Sequence, residues 1–394
     1  MVARTVRGLT GHYSVTKVGG EKVRAFIPDP LPPAPAIEWN AQLQGLSQQA
    51  MLAVGRLDGL TSLLPDVSQF LYTYIRKEAV LSSQIEGTQS SLSDLLLFEN
   101  TDTPGVPSAD VIEVSNYVAA LEHGLKRMQR GFPLSLRLIR EIHGVLLRRG
   151  RGSEKQPGAF RTSQNWIGGT RPGNARYVPP PPDEVVACMG ALEKFLHDDP
   201  VATPPLVKAA LAHLQFETIH PFLDGNGRIG RLLITLLLCH DRVLSQPMLY
   251  LSLHLKQHRS TYYELLQRVR IDGVWEDWLV FFFEGVIATA EQTSGATTRV
   301  LRLFQDDQRR IANLGAAAPT VARVHDLLRR NPMLSVNRAR DLLGNEPAFS
   351  TLSAAFGRLV DLGLVEEKTG AARGRIFAYQ AYLEILNEGT ALSA

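Results

Sequence analysis

The sequence has little cysteine, no long apolar run and no strong excess of charge of either sign. Two cysteines, Cys188 and Cys239, cannot build a disulfide framework or a four-thiolate zinc site. The most apolar stretch, residues 229–239, is interrupted by Arg231 and falls short of the ~20 apolar residues that cross a bilayer. A formal net charge of +3 is too small to indicate nucleic-acid binding by itself. These features argue against a disulfide-rich scaffold and a membrane-spanning protein.

The composition is that of a globular protein. Hydrophobic residues make up 44% of the 394 residues and charged residues 21%. At ~100–200 residues per domain, this length predicts two or three domains. The first 15 residues contain basic side chains but no apolar core of a signal peptide, so no secretory signal is predicted. We expect a cytoplasmic protein in which both cysteines are small packed residues.

The pattern of apolar residues predicts a mainly helical protein. Residues 1–40 contain a proline-rich stretch that cannot be helical, and they predict an extended arm lying on the body. From 37 to 100 the apolar residues follow a helical period. Helices are then predicted at 108–130, 134–150, 183–198, 204–219, 228–240, 258–270 and 275–312. Between two of them, residues 164–182 combine β-prone runs with a Gly/Pro/Asn-rich turn, which predicts a β-hairpin.

A change in composition at 313–319 predicts a linker and a separate C-terminal unit. Three helices are predicted there, at 320–331, 335–343 and 348–362. A basic hairpin containing Lys368, Arg373 and Arg375 follows them. A helix, a turn, a helix and a hairpin in this order predict a winged-helix (α+β) domain.

One polar segment, residues 220–231, joins two apolar helices and carries most of the chemistry. Gly225 and Gly227 let the backbone form a nest of N–H groups at the start of a helix, where anions bind. Arg228 and Arg231 lie three residues apart on the same side of the first turn. This combination predicts a polyphosphate site.

Two further side chains of the segment complete this prediction. Asp224 offers a hard oxygen ligand for Mg²⁺ beside the phosphates. His220 can take a proton near neutral pH. The segment therefore combines a predicted polyphosphate site with a metal ligand and a group that can accept a proton.

Two other phosphate motifs fit the segment poorly. The glycine spacing of 225–230 also matches the dinucleotide fingerprint, but the residues before it are helical, and no acidic residue stands about 20 positions later. No Lys followed by Ser or Thr comes after the glycines, so the segment is not a P-loop. An ordinary helix connection with surface arginines is the simplest alternative, but it does not explain His, Asp, Asn and two Arg in a fixed order.

The segment resembles the signature of the Fic family, HxFx[DE]GN[GK]RxxR, at every position. The resemblance implies a Fic helical core with a β-hairpin flap, and a protein adenylyltransferase that moves AMP from ATP to a Ser, Thr or Tyr hydroxyl of a target protein, releasing pyrophosphate. It implies that His220 is the general base and that Asp224 holds Mg²⁺. The implied nucleotide-binding residues are Asp224, Gly225, Asn226, Gly227, Arg228, Ile229, Gly230 and Arg231, with Tyr262 and Tyr263 near the adenine. Gly227 stands where kinase-like members carry Lys, and Phe222 would anchor the loop in the core.

Residues 82–87 resemble the family's inhibitory pattern, [ST]xxxE[GN]. Ser82 and Glu86 lie four residues apart on one helix face, and Gly87 is a plausible helix stop. The resemblance implies that Glu86 pairs with Arg231 and occupies the space of the γ-phosphate. The protein would then be autoinhibited, as class II members of the family are.

The resemblance assigns the chain three parts: residues 1–110 with the inhibitory motif, a catalytic domain over 111–312, and the winged-helix-like unit over 313–394. An extended strand of the target protein would pair with the exposed edge of the flap through main-chain hydrogen bonds. The flap residues predicted to dock the target are Trp166, Ala175, Arg176, Tyr177 and Val178, of which Trp166 and Tyr177 are expected to fix the flap to the body. Self-modification and a homodimer stay open, and no membrane partner is expected.

The main alternative is a DNA-binding regulator whose winged helix carries the function. Residues 318–394 hold nine Lys/Arg and eight Asp/Glu, and Arg358 is the only basic residue of the candidate recognition helix. DNA binding is therefore disfavoured but stays open. A Fic enzyme that uses another nucleotide, or that removes AMP, is the second alternative, because the loop contacts phosphates rather than the base.

Overall fold

The computed structural model describes residues 7–62, 67–100, 108–370 and 374–390. Arg373 of the predicted basic wing lies outside these residues, as do the ends of the predicted first and last domains. Within the described residues, no helix is long and apolar enough to cross a bilayer. The predicted mainly helical architecture is confirmed.

The predicted N-terminal arm is a β-hairpin. Strand β1 (Gly11–Val18) pairs antiparallel with β2 (Glu21–Pro28). Gly19 and Gly20 join them with positive φ angles of 59° and 86°, the backbone that a two-residue hairpin turn requires. The sequence analysis predicted only an extended arm here, although a Gly-Gly pair between two β-prone runs is a signal for a hairpin.

Helices build the rest of the N-terminal and central parts of the chain. They are α1 (Ala41–Ser62), α2 (Val67–Ile85), α3 (Leu92–Asn100), α4 (Ser108–Gln129), α5 (Leu136–Leu146), α6 (Val185–Leu196), α7 (Pro205–Ile219), α8 (Asn226–His240), α9 (Ser252–Gln257), α10 (Arg259–Asp272) and α11 (Trp275–Ala312). Helix α2 stops where predicted, because Gly87 follows with a φ of 100°. The short helix α9 was not predicted.

The C-terminal unit contains α12 (Ala318–Arg330), β3 (Met333–Ser335), α13 (Val336–Leu342), α14 (Phe349–Asp361), β4 (Glu366–Glu367), β5 (Ile376–Ala378) and α15 (Gln380–Asn387). Its strands form a sheet in the order β3-β5-β4, with both pairings antiparallel. Its three predicted helices are present, whereas the predicted linker is only a 3₁₀ turn (Gly315–Ala317) before α12 begins.

The C-terminal unit packs directly on the helices before it. Tyr382 on α15 hydrogen-bonds to Thr73 of α2 through their hydroxyls at 3.1 Å. The ammonium of Lys77, also on α2, donates to the carbonyl of Glu388 at 2.9 Å, and Gln84 donates to the carbonyl of Thr390 at 3.4 Å. One continuous hydrophobic core extends from α1 to α15. The last turns of α2 are therefore held by the C-terminal end of the described chain.

Candidate active site

The segment that predicted a catalytic loop forms the corner between α7 and α8. His220 ends α7 with a positive φ of 49°, an uncommon conformation for a residue other than glycine. The buried guanidinium of Arg161 donates to the carbonyl of His220 at 3.0 Å, and its backbone N–H donates to the carbonyl of Pro221 at 2.9 Å. Arg161 thus holds the strained corner in place. Sequence reasoning did not single it out.

Asn226 closes the loop from within. Its side-chain oxygen accepts from the N–H of Phe222 at 2.8 Å, and its amide nitrogen donates to the carbonyl of Phe222 at 2.8 Å. Both residues are buried, which confirms the predicted anchoring role of Phe222. The Asn226 side chain therefore shapes the loop, and only its backbone N–H is left for an anion.

A buried histidine supports the loop from α5. The ring of His143 stacks on Phe222 with 3.7 Å between centroids. Its Nδ1 accepts from the N–H of Gly158 at 2.8 Å, so Nε2 carries the proton and donates to the carbonyl of Asp224 at 3.0 Å. Burial lowers the pKa of His143 to about 4, which keeps the ring neutral. This residue was also missed.

Helix α8 begins at the predicted anion nest. Gly225 has a left-handed φ of 78°, and its carbonyl accepts the first helical hydrogen bond from Ile229. The N–H groups of the first turn then have no intrahelical acceptor and carry the positive end of the helix dipole. Ile229 was predicted to contact the nucleotide, but its side chain is buried in the core, because it lies on the inner face of α8.

Arg228 and Asp224 pair with each other at one side of the loop. The Arg228 guanidinium lies 2.8 Å from a carboxylate oxygen of Glu113 and 3.2 Å from one of Asp224. Its side chain is only 1% exposed. The same oxygen of Asp224 also accepts a hydrogen bond from the N–H of the next residue, Gly225, at 2.5 Å.

Arg231 contacts the end of α2, as the inhibitory pattern implied. Its buried guanidinium donates to the hydroxyl of Ser82 at 2.8 Å, to the carbonyl of Ser82 at 2.9 Å and to a carboxylate oxygen of Glu86 at 2.7 Å. Burial disfavours the ionised form of Glu86, but the charge and hydrogen bond of Arg231 outweigh it, and the pKa of Glu86 is lowered. The two residues form a charged pair in which Glu86 is 30% exposed.

Gly227 leaves space for this pair. A Cβ atom at position 227 would lie 2.2 Å from a carboxylate oxygen of Glu86 and 2.9 Å from a guanidinium nitrogen of Arg231. A larger residue would therefore push the carboxylate away from its position over the start of α8.

A cavity of about 510 Å³ opens in front of these groups. Its ionisable lining residues are Glu86, Glu217, His220, Arg176, Arg231, Arg259 and Arg270, and its aromatic ones are Trp166, Tyr177, Tyr262 and Tyr263. Gly227 lines it as well, whereas Asp224 and Arg228 do not. The cavity thus joins the predicted base, the second arginine, the glutamate of the predicted inhibitory pattern and the flap.

The predicted tyrosine pair differs in exposure. Tyr262 is buried, and its hydroxyl lies 3.0 Å from Nε2 of His213, which stacks on Trp278 as a packed core histidine. Tyr263 is half-buried, and the guanidinium carbon of Arg259 lies 5.6 Å from its ring centroid. Both rings line the cavity, so both can contact a ligand there.

The flap is less regular than predicted. Instead of a hairpin with two strands, one antiparallel bridge joins Ile167 and Tyr177, because the intervening Gly- and Pro-rich residues turn through a 3₁₀ helix (Pro172–Asn174). The Tyr177 hydroxyl donates to the carbonyl of Thr218 at 2.6 Å and fixes the flap to α7. Trp166 is 38% exposed and lines the cavity, and the same role predicted for it stays a prediction.

The remaining flap residues contact the N-terminal hairpin or the cavity. Val178 accepts a hydrogen bond from the N–H of Phe26 on β2 at 2.9 Å. Val178 and Ala175 pack with Val23 and Ala25 of the same strand. Arg176 lines the cavity. The hairpin that sequence reasoning took for an arm therefore supports the flap.

Two regions of the chain match known domains. Residues 45–126 match the Fic/DOC family N-terminal domain, and residues 133–238 match the Fic/DOC family domain. A relative from Nematostella vectensis named protein adenylyltransferase Fic is 31% identical over 193 residues, 48% of this chain and 41% of the relative. A protein of the same name from Drosophila erecta is 33% identical over 135 residues, 34% of this chain and 24% of the relative. The chain thus spans about a quarter to two fifths of the length of these relatives.

Solved structures share the fold. A Fic family protein from Desulfovibrio desulfuricans superposes with a TM-score of 0.56 at 19% identity, covering 87% of this chain and 97% of that one. A Fic-domain signalling protein from Bacteroides thetaiotaomicron gives 0.50 at 20% identity, covering 66% and 97%. At these identities the likeness establishes the fold, and it confirms the predicted Fic helical core.

Proposed function

Because this chain belongs to the Fic/DOC family, we propose that it is a protein adenylyltransferase that transfers AMP from ATP to a hydroxyl of a target protein. The observation that carries the proposal is the cavity in which His220, the start of α8 and Arg231 meet. The names of the curated relatives point to the same activity. The target would be a cytoplasmic protein presenting a Ser, Thr or Tyr side chain.

His220 has the properties of the base in this reaction. Its side chain is 20% exposed and lines the cavity, and burial lowers its pKa to about 4. The imidazole is therefore neutral at physiological pH and can accept the proton of the target hydroxyl. The hydroxyl oxygen would then attack the α-phosphorus, and the bond from that phosphorus to the pyrophosphate oxygen would break. Arg231 and the first N–H groups of α8 would stabilise the phosphate charge.

The residues present fit a magnesium ion that arrives with ATP. Within the described chain, no group of three or more His, Cys, Asp or Glu side chains forms a metal site by itself. Mg²⁺, however, is commonly held by one or two carboxylates together with substrate phosphates. Asp224 is the carboxylate next to the loop, and the bare Cα of Gly152 leaves space beside its second oxygen. Bound there, the ion would neutralise phosphate charge.

We further propose that Glu86 inhibits the enzyme. Its carboxylate accepts a hydrogen bond from the Arg231 guanidinium and lies over Gly227. The outer phosphates of ATP would bind in this same place. A nucleotide bound beside it would have its α-phosphate misaligned for attack by the hydroxyl. Displacement of Glu86 would then be the activating step.

We propose that the C-terminal unit is a winged helix. This is supported by its element order, helix, strand, two helices and two strands, and by a sheet in which the first strand pairs with the last. Its charge balance favours contact with a protein over contact with DNA. Retention of the whole chain on duplex DNA as a function of salt concentration tests the alternative.

Intact-protein mass spectrometry after incubation with ATP and Mg²⁺ tests the proposed activity. We expect Glu86→Gly to gain one AMP mass and the double variant Glu86→Gly/His220→Ala to gain none. His258→Ala, a substitution at a histidine outside the cavity, is the matched control in the Glu86→Gly background and should still be modified. If Glu86→Gly, given each common nucleoside triphosphate and a cell extract as a source of targets, modifies neither itself nor any other protein, the proposal is wrong.

A further inference from the structure

A buried carboxyl group outside the signature faces the candidate base. Glu217 lies on α7 one turn before His220, is 7% exposed and lines the cavity. One of its oxygens, Oε2, lies 4.0 Å from Nδ1 of His220. Among the described residues, neither the other oxygen, Oε1, nor Nδ1 of His220 has a hydrogen-bond partner. The imidazole nitrogen therefore lies next to the Glu217 carboxyl group, and the backbone carbonyl of Glu217 is the other acceptor within its reach.

The neighbouring helix leaves room for this carboxyl group. A Cβ atom at Gly230 of α8 would lie 2.4 Å from Oε1 of Glu217 and 3.3 Å from Nδ1 of His213. Gly230 was also predicted to bind the nucleotide, but it does not line the cavity, and its φ is not in the left-handed region. A side chain at 230 would therefore displace the Glu217 carboxyl group from its place beside His220, whereas glycine leaves it there.

The surroundings of Glu217 are mixed in charge. Its charged and titratable neighbours are Arg231 on α8, Glu86 after α2, Arg270, Tyr262 and Tyr263 on α10, and His213 and His220 at α7. Burial raises the pKa of Glu217 to about 7, although Arg231 acts in the opposite direction. The carboxyl group is therefore ionised only above about pH 7, and removal of Glu86 would ease its ionisation.

We propose that Glu217 is the positioning residue of His220: it accepts the Nδ1–H, which leaves Nε2 free as the base, and its charge stabilises the imidazolium. This inference rests on the proposed function. The proton of the target hydroxyl moves to Nε2 while the hydroxyl oxygen bonds to the α-phosphorus and pyrophosphate leaves. The imidazolium is the transient cation, and the Glu217 carboxylate is its counter-charge. Nε2 afterwards returns the proton to solvent.

Kinetics of the full-length Glu86→Gly protein test this role. With Glu217→Gln added, we expect kcat to fall ~10- to 100-fold, within the contribution of general base catalysis, while the KM for ATP changes less than about twofold. In the parent, kcat should rise with pH as Glu217 ionises, below about pH 7 because Glu86 is absent, and this rise should be absent in Glu217→Gln. Glu284→Gln, an exposed glutamine substitution on α11, is the matched control and should behave as the parent. An unchanged kcat, or a raised KM alone, would refute the inference.

A second measurement does not depend on activity. The ¹⁵N shifts of the His220 imidazole, assigned by comparison with His220→Ala, report which nitrogen carries the proton. We expect the Nδ1–H form in the parent at pH 8 and a shift towards Nε2–H in Glu217→Leu. The same tautomer in both proteins would contradict the role of Glu217. Absence of AMP transfer by the parent would instead count against the proposed adenylyltransferase activity, so the two failures are distinguishable.

Discussion

Replacing Glu86 by glycine should activate the enzyme, and the structure sets the size of the effect. The replaced group makes one charge-assisted hydrogen bond of 2.7 Å to Arg231. Hydrogen bonds to charged groups contribute about 1.5–3 kcal/mol. If ATP must break this contact to bind productively, its loss raises the rate by about 10- to 150-fold, at ~1.4 kcal/mol per factor of ten. The 30% exposure of Glu86 favours the lower part of this range, since water screens the pair.

The assay is the initial rate of AMP incorporation from labelled ATP, with equal amounts of wild type, Glu86→Gly and Glu86→Gln. Glutamine keeps the size of the side chain but not its charge. The rate of AMP incorporation by Glu86→Gln should therefore lie between the rates of wild type and Glu86→Gly. Glu284→Gly controls for a glutamate-to-glycine change in an exposed position. Glu86→Gly should also unfold at a lower temperature than wild type, because Arg231 loses the only carboxylate with which it forms an ion pair among the described residues. A folded Glu86→Gly protein that transfers AMP no faster than wild type would refute the reasoning.

Three further predictions concern stability and the supports of the site. His143→Ala removes the acceptor of the Gly158 N–H and the ring stacked on the catalytic loop, and should lower the free energy of unfolding by about 2–4 kcal/mol in urea titrations. Tyr177→Phe removes the hydrogen bond to Thr218 and should cost about 1 kcal/mol in the same titrations, with faster proteolysis of the flap. Stability should fall from about pH 6.5 to 4, because burial lowers the pKa of several histidines to about 4, so the unfolded chain binds more protons in this range. These histidines are His143, His213, His220, His254 and His325. The pKa values of Glu78 and Glu217 are raised to about 7, which makes the folded protein more stable at lower pH, but only two groups act in this direction. An unfolding temperature that does not fall between pH 6.5 and 4 would contradict the reasoning.

Local patterns predicted the parts of the site that lie close together in sequence. The segment 220–231 has its turn, its glycines and its helix start within twelve residues, so spacing alone indicated an anion site. The pair of Ser82 and Glu86 and its contact with Arg231 followed from the family resemblance, since two residues four apart on a helix face form a common pattern. Helical periodicity likewise predicted α4 to α8 to within a few residues.

The missed residues act across long stretches of sequence. Arg161 holds the corner at His220 from 59 residues away, and His143 contacts Asp224 across 81 residues. A single sequence contains no information about which distant side chains meet, and a buried arginine or histidine has no local pattern. Glu217 was given no role in the site from the sequence, because its neighbour Gly230 belongs to the next helix and no local pattern links the two.

The attachment of the C-terminal unit to α2 changes how the protein can be dissected. Three residues of α2 contact residues 382–390, namely Thr73, Lys77 and Gln84, and Glu86, the proposed inhibitory residue, follows directly after this helix. Truncation near residue 313 would therefore remove hydrogen bonds that hold the helix in register with Arg231, besides exposing apolar surface on both pieces. A gain of activity in a shortened protein could reflect a loosened α2 rather than loss of a regulatory domain. Point substitutions in the whole chain, such as Thr73→Val, keep the two effects apart.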